Sequence, residues 1–459
     1  MEKKILPKTK NRSILIGRTA GRMAFPQKGG FFMDKIVDGL LDFIECSPSP
    51  FHTVKAAKEL LEAEDFQELS LEGEWKLRAG GRYFVEAYGS TLLAFRVGKK
   101  EQRGLRMAAA HTDFPCFRVK PAPALCREGY GSLNVECYGG LILSTWQDRP
   151  LSLAGKVVLR GADAFSPKTV LVDFGRPLMT IPSLAIHMNR KVNDGVALNR
   201  QTDMLPLAAM FEREGMNKAF FDELLARELG CKPAEILSYE LTVYPTETGC
   251  CLGIAEEFIS SPRLDNLTSV KACLDGIVAA KARQGLALIA LFDNEEVGSR
   301  TKQGAGSAVL LQVLERIYLL RGFTKEQLFA DIAGGFMLSA DVAHALHPNY
   351  MDKADLTNRP ILNGGVVLKQ AASQAYAGDA EAVAVVLELC RQNDIPCQQF
   401  VNRSDIPGGS TLGSIASALI PIRTMDIGIP MLAMHSARET MGVRDQEAIT
   451  KLLKAFFTK

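Results

Sequence analysis

Five stretches of the chain put carboxylates or histidines where apolar runs end or helices begin. In Leu286-Ala-Leu-Ile-Ala-Leu-Phe-Asp-Asn-Glu-Glu-Val-Gly-Ser299 a strand-like run stops at Asp293, Asn294, Glu295 and Glu296, then turns at Gly298. Two adjacent glutamates repel unless a cation or a shared proton lies between them. One can ligate a metal while its neighbour takes a proton from water; alone, the same stretch also reads as a solvated acidic turn. His111-Thr-Asp113 follows a second apolar run. Residues i and i+2 of an extended segment point the same way, so Asp113 can orient the His111 imidazole as a ligand, although a lone histidine in such a run is more often a satisfied core residue.

Three more stretches add to these. Ser261-Pro-Arg-Leu-Asp-Asn266 sets Asp265 just ahead of a helix, Phe336-Met-Leu-Ser-Ala-Asp341 ends in an acid, and Met431-Leu-Ala-Met-His435 ends in a histidine. The chain has 6 histidines, so two of them in this setting stand out from background. Imidazole mixed with carboxylate suits zinc, manganese or cobalt better than magnesium. His344 and His347 compete with Asp341; their spacing puts them on one face of a helical turn, as structural or pocket-lining groups.

The elements that must position these residues follow from periodicity. Ile36, Leu40, Leu41, Phe43 and Ile44 predict a helix from Met33, broken at Ser47-Pro-Ser-Pro50, with Pro50 opening a second helix through Ala63. Strands are predicted at Tyr83–Tyr88, Thr91–Val97 and Leu105–Ala110. Between about 116 and 258 the texture is β-like, at Gly139–Ser144, Gly155–Arg160, Thr169–Phe174 and Leu237–Tyr244. Beyond 260, helices (Leu267–Ala280, Ser307–Leu320, Ala380–Gln392) alternate with apolar strands (Leu286–Phe292, Leu328–Ile332, Gly365–Lys369, Met431–Met434). That alternation predicts an α/β sheet with helices on both faces, whose ligands bind beyond the carboxyl ends of its strands.

Composition narrows the function classes. A net charge of +2, with 47% hydrophobic and 23% charged residues, gives no field that argues for nucleic acid or an anionic membrane surface. No apolar run approaches the roughly 18 residues of a membrane span. The 10 cysteines form no C-x-x-C pair and read as free thiols of a reducing, cytoplasmic compartment. Residues 1–32 are basic, with Glu2 as their single acid, and lack the apolar core of a secretory signal. They read as a loose, disordered basic tail, as the product of an upstream start codon ahead of a true start at Met33, or as a transit-like peptide.

Taken as a set, Ser47-Pro-Ser-Pro-Phe-His52, His111-Thr-Asp113, Tyr138-Gly-Gly140, Ala185-Ile-His187, Ser261–Asn266, Phe292–Ser299, Ser339–Tyr350 and Met434-His-Ser436 resemble the aspartyl aminopeptidase / aminopeptidase I family of dinuclear metallopeptidases. The resemblance runs from about Met33 to the C-terminus. It implies an α/β metallopeptidase domain (33–115 and 259–459), with a central mixed sheet flanked by helices. Into this is inserted a β-rich dimerisation or oligomerisation domain (116–258), which accords with the roughly 150 residues between His111 and Asp265. It also implies two divalent ions per subunit, zinc with manganese or cobalt as alternatives. His111 and Asp341 would hold one and Glu296 and His435 the other, with Asp265 bridging, Glu295 as general base and Asp113 orienting His111. Family members assemble as tetrahedral dodecamers, in which His187 would reach a neighbouring subunit's active site.

The activity so implied is hydrolysis of the first peptide bond of peptide substrates. Two rivals are a dinuclear carboxypeptidase or deacylase, and a non-catalytic scaffold on the same fold. Gly409, in the turn Gly408-Gly-Ser-Thr411, is a candidate oxyanion donor or a plain tight turn. Lys369, ending an apolar strand, can pair with an acidic first residue of the substrate, or can touch the peptide backbone or an internal carboxylate. The stretch Lys369–Tyr376 and the basic extension both depart from the family pattern.

Overall fold

The structure, a computed structural model, describes residues 30–99, 103–212, 219–281 and 285–458. The basic segment 1–32 lies, up to residue 29, outside the described residues.

The first helix, Gly30–Glu45, buries Val37, Leu40, Phe43 and Ile44 along one face. The second, Pro50–Ala63, starts where the Ser49 hydroxyl accepts from the His52 N–H and Pro50 takes the first turn, where its missing donor costs nothing.

Nine strands form the central sheet. Its middle is parallel and runs Leu286–Phe292, Leu105–His111, Phe336–Ala340, Arg423–Gly428. Thr91–Val97 borders it antiparallel on one side and Val366–Gln370 antiparallel on the other. Helices cover both faces of the sheet, so Leu286–Phe292 and most of Leu105–His111 are apolar on both. Leu105, Met107 and Ala109 face one core with Val313, Leu314 and Ile317 of the helix Val309–Leu320. Ala108 and Ala110 face the other, which holds Leu274 and Ile277 of Leu264–Ala279 and Ile449 and Leu453 of Val443–Thr458.

A second sheet of six strands draws all its members from Cys116–Pro245. Phe117, Leu133, Leu153 and Val243 on its inner face join the same core as Ala108 and Ala110. A third sheet of five short strands, Cys250–Leu252, Phe258–Ser261, Glu439–Gly442, Pro430–Leu432 and Ala343–His344, closes over the carboxyl end of the central one.

Several local expectations give way. Leu328–Ile332 belongs to a helix, Lys325–Ala333, because Thr324 and Gln327 cap its first turn reciprocally and Leu328 and Ile332 fall one turn apart. The strand expected there is Phe336–Ala340. Gly139–Ser144 is not a strand: Gly139 adopts φ +76° and the chain enters a short 3-10 turn, Leu143–Trp146. His344 sits in a two-residue strand and His347 in a loop, so no helical turn aligns them. The helix expected from Leu267 is counted from Leu264, with Asp265 and Asn266 held out of helical geometry. Arg423–Gly428, a middle strand, and Cys397–Val401, an edge strand, carried no expectation.

Candidate metal centre

Three neighbouring parallel strands bring their carboxyl ends to one edge. In register, Phe292 pairs with His111, and the turn after Phe292 carries Glu295 and Glu296. One strand over, Phe336–Ala340 delivers Asp341. The third sheet supplies the rest: Asp265 follows Phe258–Ser261, and His435 follows Pro430–Leu432. All five sequence-predicted ligands and Glu295 thus line one cavity of about 460 Å³.

The two imidazoles sit at opposite oxygens of one carboxylate. His111 Nε2 lies 3.4 Å from Asp265 Oδ1 and 3.6 Å from Asp341 Oδ1. His435 Nε2 lies 3.3 Å from Asp265 Oδ2 and 3.4 Å from Glu296 Oε2. Donor atoms of His111, Asp265 and Asp341 fall within 4.8 Å of one another, as do those of Asp265, Glu296 and His435, and those of His111, Glu295 and Glu296. Each imidazole has its other nitrogen fixed by a backbone carbonyl. His111 Nδ1 donates to the Asp113 carbonyl at 3.0 Å, and His435 Nδ1 to the Gly140 carbonyl at 3.0 Å. A carbonyl only accepts, so each Nδ1 keeps its proton and each Nε2 is free to ligate.

Asp113 is buried and organises the acidic turn. Its Oδ1 accepts from the Glu295 N–H at 3.1 Å and its Oδ2 from the Glu296 N–H at 3.2 Å. Oδ1 is also 3.4 Å from His111 Nδ1. Glu439 does the same on the other side, accepting from the Asp265 N–H at 3.0 Å and the His435 N–H at 2.8 Å.

Four carboxylates around two imidazoles in a buried space are electrostatically unbalanced. Burial, and then Asp341, Asp113 and Asp265, push Glu295 up to about 8 against the pull of His111. Burial works against charge on His435, yet Asp265 and Glu296 carry it up to about 10. Asp265 Oδ1 is buried and accepts no hydrogen bond. Imidazole nitrogens, crowded carboxylate oxygens and this unpartnered oxygen fit divalent cations of the zinc type.

The comparisons with known proteins decide the family. The family described as "Aminopeptidase I zinc metalloprotease (M18)" matches residues 43–457. A Clostridium acetobutylicum protein named "Probable M18 family aminopeptidase 2" is 46% identical over 421 residues, covering 91% of this chain and 97% of the relative. The chain belongs to the M18 family of zinc aminopeptidases. It is a metallo-aminopeptidase, a hydrolase of peptide bonds. Among solved structures, a chain of the Ape4 and Nbr1 complex superposes with TM-score 0.88 at 35% identity, covering 93% of this chain and 86% of that one. The Saccharomyces mApe1 dodecamer gives 0.80 at 27% identity, covering 93% and 97%.

Against this M18 frame the remaining site predictions divide. Lys369 and Gly409 line the cavity. The Lys369 ammonium is buried and turned to Asp341 Oδ2 at 3.1 Å and the Val342 carbonyl at 2.8 Å. His187 is exposed, in a loop outside the cavity lining.

Sequence reasoning named Asp113 but missed Glu439 and the groups behind Asp113. Tyr138 donates its hydroxyl proton to Asp113 Oδ2 at 2.7 Å and accepts from Asn294 Nδ2 at 2.8 Å. A Cβ on Gly139 would meet Glu296 at 3.2 Å, and one on Gly140 would meet His435 Nδ1 at 3.3 Å. The signal that could have found them was the Tyr-Gly-Gly run itself, a polar-tipped aromatic followed by two residues able to pass close to another backbone.

Proposed function

We propose that this M18 aminopeptidase works with two divalent ions, of which zinc is the family's metal. His111 and Asp341 would hold one, and Glu296 and His435 the other, with Asp265 lying between them. The observation that carries this reading is the division of the two Asp265 oxygens between the two histidines. When bound, such ions supply Lewis-acid polarisation and make water a better nucleophile at neutral pH. Glu295, whose backbone is fixed by Asp113, accepts the proton of the attacking water and returns it to the departing amine. The surrounding carboxylates receive the substrate's α-ammonium, which sets cleavage at the first peptide bond. The test is hydrolysis of an aminoacyl-p-nitroanilide panel, with N-acetylated controls, by enzyme loaded with zinc, manganese or cobalt. Equal turnover of blocked and free N-termini would overturn the aminopeptidase assignment of the site.

Lys369 serves as a positioning residue for Asp341 on this reading. Its charge is already matched by an internal carboxylate, which supports a cavity without a dedicated receptor for acidic side chains.

The six-stranded sheet, drawn wholly from within 116–258, supports that segment as an inserted domain between 33–115 and 259–459. Exposed Leu184, Ile186 and Met188 surround His187 and support this loop as a subunit contact, and the similar mApe1 is a dodecamer. We expect a homododecamer by light scattering; an active monomer would overturn the contact. Cys116, Cys273 and Cys390 are buried thiols that form no disulfide, which supports a reducing, cytoplasmic setting. Among the described residues no helix is long and apolar enough to cross a membrane.

A further inference from the structure

The amino end of the central sheet carries a second cleft of about 310 Å³, on the side away from the metal centre. Arg106 and Arg423 stand on the two strands flanking Phe336, and both pair with Phe336 in register. The three side chains therefore emerge on one face, the aromatic ring between two guanidinium groups. The helix Ala380–Gln392 forms the opposite wall with Val385, Glu388 and Leu389, residues spaced to share a face. Phe456 packs edge-on against Phe336, with ring centroids 6.1 Å apart, and closes the floor. Arg106 and His111 lie five residues apart on one strand, so the cleft is about 16 Å from the metal centre.

The guanidinium groups of this cleft are weakly matched among the described residues. Among those, Arg106 donates to the Leu105 carbonyl, at a long 3.5 Å, and Arg423 faces the exposed Glu381 at 3.9 Å. Glu388 lines the cleft, but its carboxylate is taken by Arg391 at 2.6 Å and 2.7 Å and by Gln392 at 2.8 Å. Burial, and then the like charge of Arg423, hold the Arg106 guanidinium below its ordinary range.

We propose that this cleft is a binding site for a small organic anion, a carboxylate or phosphate carried on an apolar body. The guanidinium pair would take the anionic group in charge-assisted bonds, and Phe336, Val385, Leu389 and Phe456 the body. The site is separate from the hydrolytic centre and does not rest on the roles assigned there.

Titration calorimetry on the metal-loaded enzyme, with an aminoacyl hydroxamate saturating the catalytic cavity, tests it. Phenyl phosphate and benzoate, the two anion classes, are compared with inorganic phosphate and neutral benzyl alcohol. One equivalent of phenyl phosphate or benzoate per chain should bind, about tenfold or more tighter than the alcohol or the bare phosphate. The stronger of the two aromatic anions identifies the class. Arg106→Gln and Arg423→Gln should each weaken that binding about tenfold while peptide hydrolysis stays unchanged. Val385→Glu, on the more exposed wall, should abolish binding by placing a carboxylate inside the cleft. Benzyl alcohol binding as well as the anions, heats unaffected by the arginine substitutions, or no heat once the catalytic cavity is filled would each overturn the proposal. A change of assembled mass in the arginine variants would also overturn it, making the cleft a face between subunits.

Discussion

His111 and His435 approach the same carboxylate from two differently built supports. His111 ends a strand hydrogen-bonded on both sides in the middle of the central sheet, and its side chain is 1% exposed. His435 follows a three-residue strand of the small sheet, adopts φ +67°, and has a side chain 31% exposed. The first is placed by the sheet. The second depends on Gly140, 295 residues away in sequence, to hold its ring. The difference separates a side chain that the fold cannot move from one that a neighbouring segment must keep in place, and it puts the open side of the cavity at His435.

The largest expected effect belongs to neither half alone. Glu295→Gln keeps the shape and the backbone bond to Asp113 but cannot accept a proton, so kcat should fall on the order of 10²-fold or more. Metal analysis should find both halves still loaded; loss of metal would mean that Glu295 and Glu296 have exchanged roles. Next in size, Tyr138→Phe removes the hydroxyl between Asp113 Oδ2 and Asn294 and, since that oxygen also accepts from the Glu296 N–H, should act on the His435 half. Loss of such an outer partner costs about 10–100-fold in metal affinity or activity. Competition with a graded chelator should release one ion early and leave the other at its wild-type midpoint. Both ions shifting together would erase the distinction between the halves.

The smallest effect on catalysis, and one confined to stability, lies behind His111. Thr53 donates to the Thr112 carbonyl at 3.4 Å, so the start of the second helix braces that strand end. Its neighbour His52 is pushed by burial, against Asp173, down to about 4 from the ordinary 6.5. Between those values the unfolded chain binds more protons than the folded one. Stability is therefore complete above pH 6.5 and drains away as pH falls toward 4, by up to about 3 kcal/mol. Thermal unfolding across that window should show the slope in the wild type and a flatter one in His52→Gln. Identical slopes would remove His52 from the account.

The residues that meet in the cavity were legible because each ends an apolar run or opens a helix, and because Asp, Glu and His are costly to bury without a purpose. The strands Leu105–His111 and Leu286–Phe292 were legible for a related reason: both faces are covered, so the runs are unbroken. Leu328–Ile332 misled because five residues fit strand and helix alike, and the deciding signal, Thr324 with Gln327, lies outside the run. Arg423–Gly428 hid behind its own polar residues, Arg423, Thr424 and Asp426, although it lies in the middle of the sheet. Gly140 was visible as part of the Tyr138-Gly-Gly140 run, but its task was not, since its contribution is a carbonyl that every residue possesses.

The order of the ligands along the chain has a consequence for biosynthesis. His111 is made early, while His435 and Glu439 follow more than three hundred residues later. Between them the ribosome must deliver both glutamates, Asp265, Asp341 and the whole six-stranded sheet that carries Gly140. A nascent chain therefore holds no complete hydrolytic centre while most of its length is still being translated. The enzyme cannot trim peptides, its own unfinished neighbours on a polysome included, before its final strands have closed over the central sheet.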